Sequence, residues 1–326
     1  MAKARLLLIV SALGTLALVA ATPAQEAFPG RNVSIVVPLQ SGTASDLVAR
    51  VLADKLTVKL GRPVLVENVV GAGGAIGAQR LARSKPDGHT VGAFNNGVQT
   101  ILPQMGSGGA PLQFDPMKDI VPITLLARFP SVLIVDKDLP IKSLHELIAL
   151  SNQEPGRLNY ASVGIGSPQH LAMEELKSIT GMNLNHVPYR GGAQAVTAVV
   201  AGEVNVFWIA TSVALPFIRS GKVRAVAVGE RARTKMLPDV PTVRELGLDY
   251  EYSPWLALYA PAGSPDAIRE RLRKEVTEVL LDVEAREKLA AAGIEAQAST
   301  AQEVGAMVAE ESDRMTKVIS QLGLKQ

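Results

Sequence analysis

The chain has 326 residues, 20% of them charged, with 33 Lys+Arg against 31 Asp+Glu, a formal net charge of +2 and no cysteine. Basic and acidic residues are interspersed, which leaves no basic face for nucleic acid. The lack of cysteine excludes a disulfide framework, thiolate metal sites and a lipid-bearing cysteine at a signal boundary.

Residues 1–24 read as a separate object. Lys3 and Arg5 precede an apolar run from Leu6 to Ala21 and small residues near Ala24, the pattern of a cleaved secretory signal and too short for a membrane span. The mature protein is expected to be exported, and periplasmic in a Gram-negative organism. The roughly 300 residues that follow exceed what one core serves, so two domains are expected.

Strand and helix patterns then alternate. Asn32 to Val37 is β-rich. From Asp46 to Leu60, Leu47, Val48, Val51, Leu52 and Leu56 share one helical face, with Ser45 or Asp46 as the expected cap and Gly61 as the stop. A strand over Pro63 to Val70, a helix over Ala75 to Ser84, a turn at Pro86-Asp-Gly88 and a strand over Thr90 to Phe94 complete this half. The apolar stretch Val121 to Val135 reads as an extended segment crossing between domains.

The second half repeats the scheme. Helices are expected over Ser143 to Ser151, Pro168 to Thr180 and Ala193 to Ala201, with strands at Leu158 to Ser162, Leu184 to Tyr189, Val204 to Ile209 and Val223 to Val228. This is a doubly wound α/β pattern. Glu251 to Ala260 reads as the return crossing, and the remainder as nearly all helical. The division is therefore lobe 1 over 25–127 plus 253–326, and lobe 2 over 128–252.

Two strand-to-helix turns stand out, Val36-Val-Pro-Leu-Gln-Ser-Gly-Thr-Ala-Ser-Asp46 and Leu158-Asn-Tyr-Ala-Ser-Val-Gly-Ile-Gly-Ser-Pro168. Each aims unpaired N–H groups and the positive end of a helix dipole at one point, which attracts carboxylates. In the first turn Gln40, Ser41, Thr43 and Ser45 offer uncharged donors around Leu39, Gly42 and Ala44, while Asp46 reads as a cap rather than a ligand. In the second, Ser162, Val163, Gly164, Gly166 and Ser167 are the candidates. Ser167 suits an N-cap and Pro168 the first helical position, so capping alone also accounts for Ser167. Asn95 ends a strand, and Arg190, just after another, is the best single cation for an acidic ligand or else an ordinary solvated arginine.

Other chemistries find little support. Gly71-Ala-Gly-Gly-Ala-Ile-Gly77 has the wrong spacing for a dinucleotide fingerprint, and no acidic residue follows at the required distance. No P-loop and no G-x-S-x-G elbow occur, and His89, His145, His170 and His186 lack metal-ligand spacing. Neither a cofactor nor a metal is expected. The alternative from another class is a secreted α/β serine hydrolase using Ser162 or Ser167.

Taken in order, Val36-to-Asp46, Val66-Glu-Asn-Val-Val-Gly-Ala-Gly-Gly-Ala-Ile-Gly77, Lys85-Pro-Asp-Gly-His-Thr90, Leu158-Asn-Tyr-Ala-Ser-Val-Gly164, His186-Val-Pro-Tyr-Arg-Gly-Gly192 and Leu237-Pro-Asp-Val-Pro-Thr-Val243 resemble the motifs of the tripartite tricarboxylate transporter substrate-binding proteins, the Bug family. The resemblance spans the mature chain. It implies a two-lobed, type II periplasmic-binding-protein-like fold, with doubly wound sheets joined by two crossing strands and closing on a carboxylate. It further implies a ligand held by backbone amides, hydroxyls and ordered waters of the two turns. A non-enzymatic, monomeric receptor for a small organic acid is expected, with membrane permease subunits or a sensor kinase as partners.

Two departures stand out. The family's first turn usually runs Pro-Phe-Pro-Pro-Gly-Gly-Ala-Thr-Asp, where this chain has Leu39, Gln40, Ser41 and Thr43. Where many members carry Asp-Asn after a strand of the second lobe, this chain has Ile209-Ala210 after Phe207-Trp208. Loss of that acid disfavours an amino-acid ligand, and Trp208 and Ile209 are expected to offer an apolar wall or, by strand alternation, to lie partly in the core.

Overall fold

The computed structural model describes residues 28–106 and 112–324; the signal segment inferred over 1–24 lies outside them. The first half contributes β1 (Val33–Val37), α1 (Ala44–Leu60), β2 (Val64–Asn68), α2 (Ala75–Ala82), β3 (Thr90–Asn95), the short α3 (Asn96–Thr100) and α4 (Leu102–Met105), and β4 (Ile120–Arg128). The chain then builds β5 (Ser131–Asp136), α5 (Leu144–Gln153), β6 (Asn159–Ser162), α6 (Pro168–Thr180), β7 (Asn185–Pro188), α7 (Gly192–Val200), β8 (Val206–Ala210), α8 (Thr211–Arg219) and β9 (Val223–Val228). It returns through β10 (Trp255–Pro261), α9 (Asp266–Leu281), α10 (Val283–Ala291), β11 (Glu295–Ala296) and α11 (Ala301–Gln321).

Two sheets result, ordered β11-β4-β10-β3-β1-β2 and β7-β6-β8-β5-β9. Their winding is the same. In the first, β1 pairs in parallel with β2 and β3, and β10 enters antiparallel between β3 and β4. In the second, β6 pairs in parallel with β7 and β8, and β5 enters antiparallel between β8 and β9. Each antiparallel insert is the strand that has just crossed from the other sheet. Helices cover both faces of both sheets, so strands such as β5 and β10 are buried at every position, as their unbroken apolar runs require.

Most elements lie within two residues of their expected positions, and the differences have local causes. Thr43, not Ser45 or Asp46, caps α1: its hydroxyl accepts from the Asp46 amide. Helix α8 was not anticipated, because Pro216 interrupts its pattern, and β11 is only two residues long. Among the described residues no helix is long and apolar enough to cross a membrane.

Candidate ligand-binding site

Strand order places the carboxyl ends of β1, β3, β6 and β8 toward one another across a cleft, the place where open α/β sheets receive ligands. A cavity of ≈ 350 Å³ lies there, lined from the first sheet by Leu39, Thr43, Ala44, Ser45, Asn95 and Asn96, and from the second by Pro168, Gln169, Ala210, Ser212 and Val213. Phe129, Ser131, Tyr252 and Pro254 of the two crossings also line it, as do Ala292, Gly293 and Ile294 of the loop after α10. None of these residues is charged.

What the lining offers is helix starts. The first-turn amides of Ala44, Ser45, Gln169, Ser212 and Val213 have no acceptor among the described residues, so they remain free donors at the positive ends of α1, α6 and α8. Ser45 is buried at 4% exposure. Gln169 Oε1 is buried without a partner among the described residues.

The first turn is shaped from behind by Asp46. Its carboxylate accepts from the Gly42 amide at 2.9 Å, from Arg50 Nε at 2.9 Å and from Asn68 Nδ2 at 2.9 Å, while Asn68 also donates to the Leu39 carbonyl at 3.0 Å. Burial alone would raise the Asp46 pKa, but the Arg50, Gly42 and Asn68 hydrogen bonds outweigh it and hold the carboxyl at about 2. Asp46 is thus ionised yet turned away from the lining. Gln40, Ser41 and Gly42 are exposed and lie outside it.

In the second turn Ser162, Val163, Gly164, Gly166 and Ser167 form the support and leave the lining to Pro168 and Gln169. Ser162 is fully buried; its hydroxyl accepts from the Gly164 amide at 3.0 Å and lies 2.6 Å from His186 Nε2. Ser167 caps α6 by accepting from the His170 amide at 3.3 Å. Both hydroxyls bond the turn's own backbone, and neither lines the cavity.

The apolar wall expected of Trp208 and Ile209 is not where the structure places them. Alternation along β8 sends Trp208 (0% exposed) against Tyr250 and Tyr252 on one face, and Ile209 (4%) into the core on the other. Only Ala210, at the strand end, reaches the lining. Arg190 is exposed outside it, and its guanidinium makes no ion pair or hydrogen bond among the described residues. Ser212 was missed with α8, although Ala210-Thr-Ser212 repeats the hydroxyl-rich strand ending of the other turns.

Two further supports fix the geometry. Glu311 of α11 accepts from Asn96 Nδ2 at 2.6 Å, Thr100 Oγ1 at 3.2 Å and Trp255 Nε1 at 2.8 Å, and so pins Asn96 beneath the cleft. At the crossings, the Phe129 amide donates to the Pro254 carbonyl at 2.8 Å, Gly229 to Ser131 at 3.0 Å, and Tyr252 to Gly229 at 3.0 Å. Glu230 accepts from the Ser131 amide at 2.6 Å, and burial pushes its carboxyl up to about 8.

Comparison with known proteins agrees with this architecture. The tripartite tricarboxylate transporter family receptor profile matches residues 48–324. A UPF0065 protein of Bordetella pertussis is 34% identical over 96% of this chain and 97% of its own. Rpa4515 of R. palustris, solved with adipate, is 31% identical and superimposes with a TM-score of 0.74 over 91% of this chain and 98% of its own. MatC of Rhodopseudomonas palustris, solved with bound malate, is 31% identical with a TM-score of 0.70 over 90% of this chain and 100% of its own. On this match of sequence and fold, the chain belongs to the tripartite tricarboxylate transporter receptor family.

Proposed function

We propose that the protein captures a small organic acid in the cleft between its sheets and presents it, lobes closed, to membrane permease subunits or a sensor kinase. The observation that carries this reading is the convergence of free first-turn amides from α1, α6 and α8 on a cavity with no charged side chain. Oriented amides in a partly dry site stabilise an anion without a cation. A volume of ≈ 350 Å³ suits a small ligand, and the adipate of Rpa4515 and malate of MatC are acids of that scale. With no carboxylate in the lining, an ammonium group lacks a partner, which argues against amino acids.

The reading treats 25–127 plus 253–326 and 128–252 as lobes that close about the crossings, in a monomer exported to the periplasm after loss of residues 1–24. Calorimetric titration of dicarboxylates, tricarboxylates, aromatic acids and the corresponding amides tests it. Acids are expected to bind at least tenfold tighter than their amides. Equal affinity for an acid and its amide would overturn the reading.

A further inference from the structure

The second turn holds two imidazoles directly beneath it. His170, 6% exposed, accepts the Gly166 amide hydrogen at Nδ1 over 3.1 Å. His186 lies with its ring centroid 4.2 Å from that of His170, and its Nε2 is 2.6 Å from the Ser162 hydroxyl that in turn accepts from the Gly164 amide. The amides of Gly164 and Gly166 therefore end on Ser162 and on His170. Both glycines have φ in the left-handed half of the map, +127° and +75°. A backbone in that region is held by its hydrogen bonds.

Gly166 is also where this turn meets the other sheet's elements. A Cβ added there would lie 2.5 Å from Met105 Cε and 3.0 Å from Met105 Sδ. The turn is pressed by Met105 on one side and supported by His170 on the other. One residue beyond Ser167 the chain enters the cavity lining at Pro168 and Gln169.

An Nδ1 that accepts a hydrogen bond must be unprotonated, so the ring is neutral with its hydrogen on Nε2. The surroundings favour that state. Burial lowers the pKa of His170, and burial followed by the neighbouring imidazole lowers that of His186 to about 4. The other titratable and charged groups facing the pair are Tyr160 of β6, stacked on His186 at 5.0 Å, and Glu174 and Lys177 of α6, which pair with each other at 2.7 Å. From α11, Arg314 and Glu311 meet α6 further along, at Glu175.

We propose that His170 is a positioning residue for the cleft: by accepting the Gly166 amide at Nδ1 it fixes the second turn, and ligand affinity depends on an unprotonated acceptor at that place. The inference rests on the reading of the cleft as an acid-binding site only for its effect on affinity. Protonation of His170 would remove the acceptor and set a cation beside Gly166, releasing the turn in acid. If His186 followed, two like charges would stand with ring centroids 4.2 Å apart, so the second proton is resisted.

Substitution by asparagine provides the test, because its Oδ1 sits near the place of Nδ1 and does not titrate. In the ligand-free protein, nitrogen-15 spectra should show His170 Nδ1 unprotonated. The Gly166 amide should be protected from exchange at neutral pH, and its protection factor, the unstructured rate at each pH divided by the observed one, should fall in acid as His170 titrates. His170→Asn should keep the protection factor across that range, and His170→Ala should lose it at every pH. With adipate and malate as probes, His170→Asn should bind within about threefold of the parent, and His170→Ala about tenfold more weakly, the scale of one lost hydrogen bond. A protonated Nδ1, unchanged Gly166 exchange in His170→Ala, or an asparagine variant as impaired as the alanine one would overturn the inference. If the parent binds no acid at all, the cleft reading fails, while the exchange and tautomer measurements still decide the role of His170.

Discussion

Asp46 Oδ2 accepts the Gly42 amide hydrogen at 2.9 Å, tying the tip of the first turn to the first turn of the helix that follows it. The family's usual Pro-Pro-Gly-Gly stiffness is missing at this tip, where the chain reads Gln40-Ser-Gly-Thr43, and the carboxylate supplies the order instead. Asp46→Ala should lower unfolding free energy by about 2 kcal/mol, since a nearly buried carboxylate with three kinds of donor is lost. Ligand affinity should fall with it. The carboxyl is depressed from 3.8 to about 2, so its stabilisation is full above about pH 4 and is lost as pH falls through 2. Denaturant titrations of parent and Asp46→Asn between about pH 2 and 6 check this: the two curves should converge at the acid end.

Glu230 makes the opposite forecast. Its folded pKa is raised from 4.5 to about 8 by burial, so the folded state holds a proton that the unfolded state releases, and stability must fall as pH climbs from about 4.5 toward 8. Glu230→Gln keeps the acceptor for the Ser131 amide and cannot ionise. The variant should be as stable as the parent near pH 5 and more stable at about pH 8, measured by chemical denaturation.

Gly293 and Ser212 face each other across the cleft. A Cβ on Gly293 would lie 2.2 Å from Ser212 Cβ, and its φ of +72° strains any other residue by about 1 kcal/mol. Gly293→Ala should therefore weaken acid binding tenfold or more by wedging the closed form, and solution scattering in saturating ligand should report a larger radius of gyration than the parent's. Adding Ser212→Gly should recover part of the affinity. Parent-like affinity and compaction in Gly293→Ala would show that the two residues do not meet when ligand is bound.

Ile209→Asp should act on folding. The side chain sits at 4% exposure between β8 and the helices packed on it, so an aspartate there is a buried, unpaired acid costing about 3 kcal/mol or more. The melting temperature of the ligand-free variant should drop by several degrees. An unchanged value would remove Ile209 from the core.

Much of this fold is legible in the chain because period and punctuation agree. Pro168–Thr180 and Val223–Val228 match their expected bounds, since Ser167-Pro168 and Gly181 bracket the one and a valine-rich run between Lys222 and Gly229 marks the other. The cleft is less legible. Leu39, Thr43, Ala44, Ser45 and Asn95 were expected near the ligand and do line the cavity. Ser162 and Gly164 were expected beside it and instead build the layer beneath, because a hydroxyl and a glycine in a turn serve a ligand or the turn itself equally well in sequence. Tyr252, Phe129 and the 292–294 loop carry no local signal at all: they reach the lining only through the return of the chain across both sheets.

That return also fixes the order in which the molecule can be completed. Every strand of the second sheet comes from residues 131–228, so it can be assembled while the last quarter of the polypeptide is still emerging. The first sheet cannot. Until residues 255–261 arrive, β3 and β4 have no partner between them, and two lines of unmet peptide groups stand open. The half of the molecule that is synthesised first is therefore the half that is finished last.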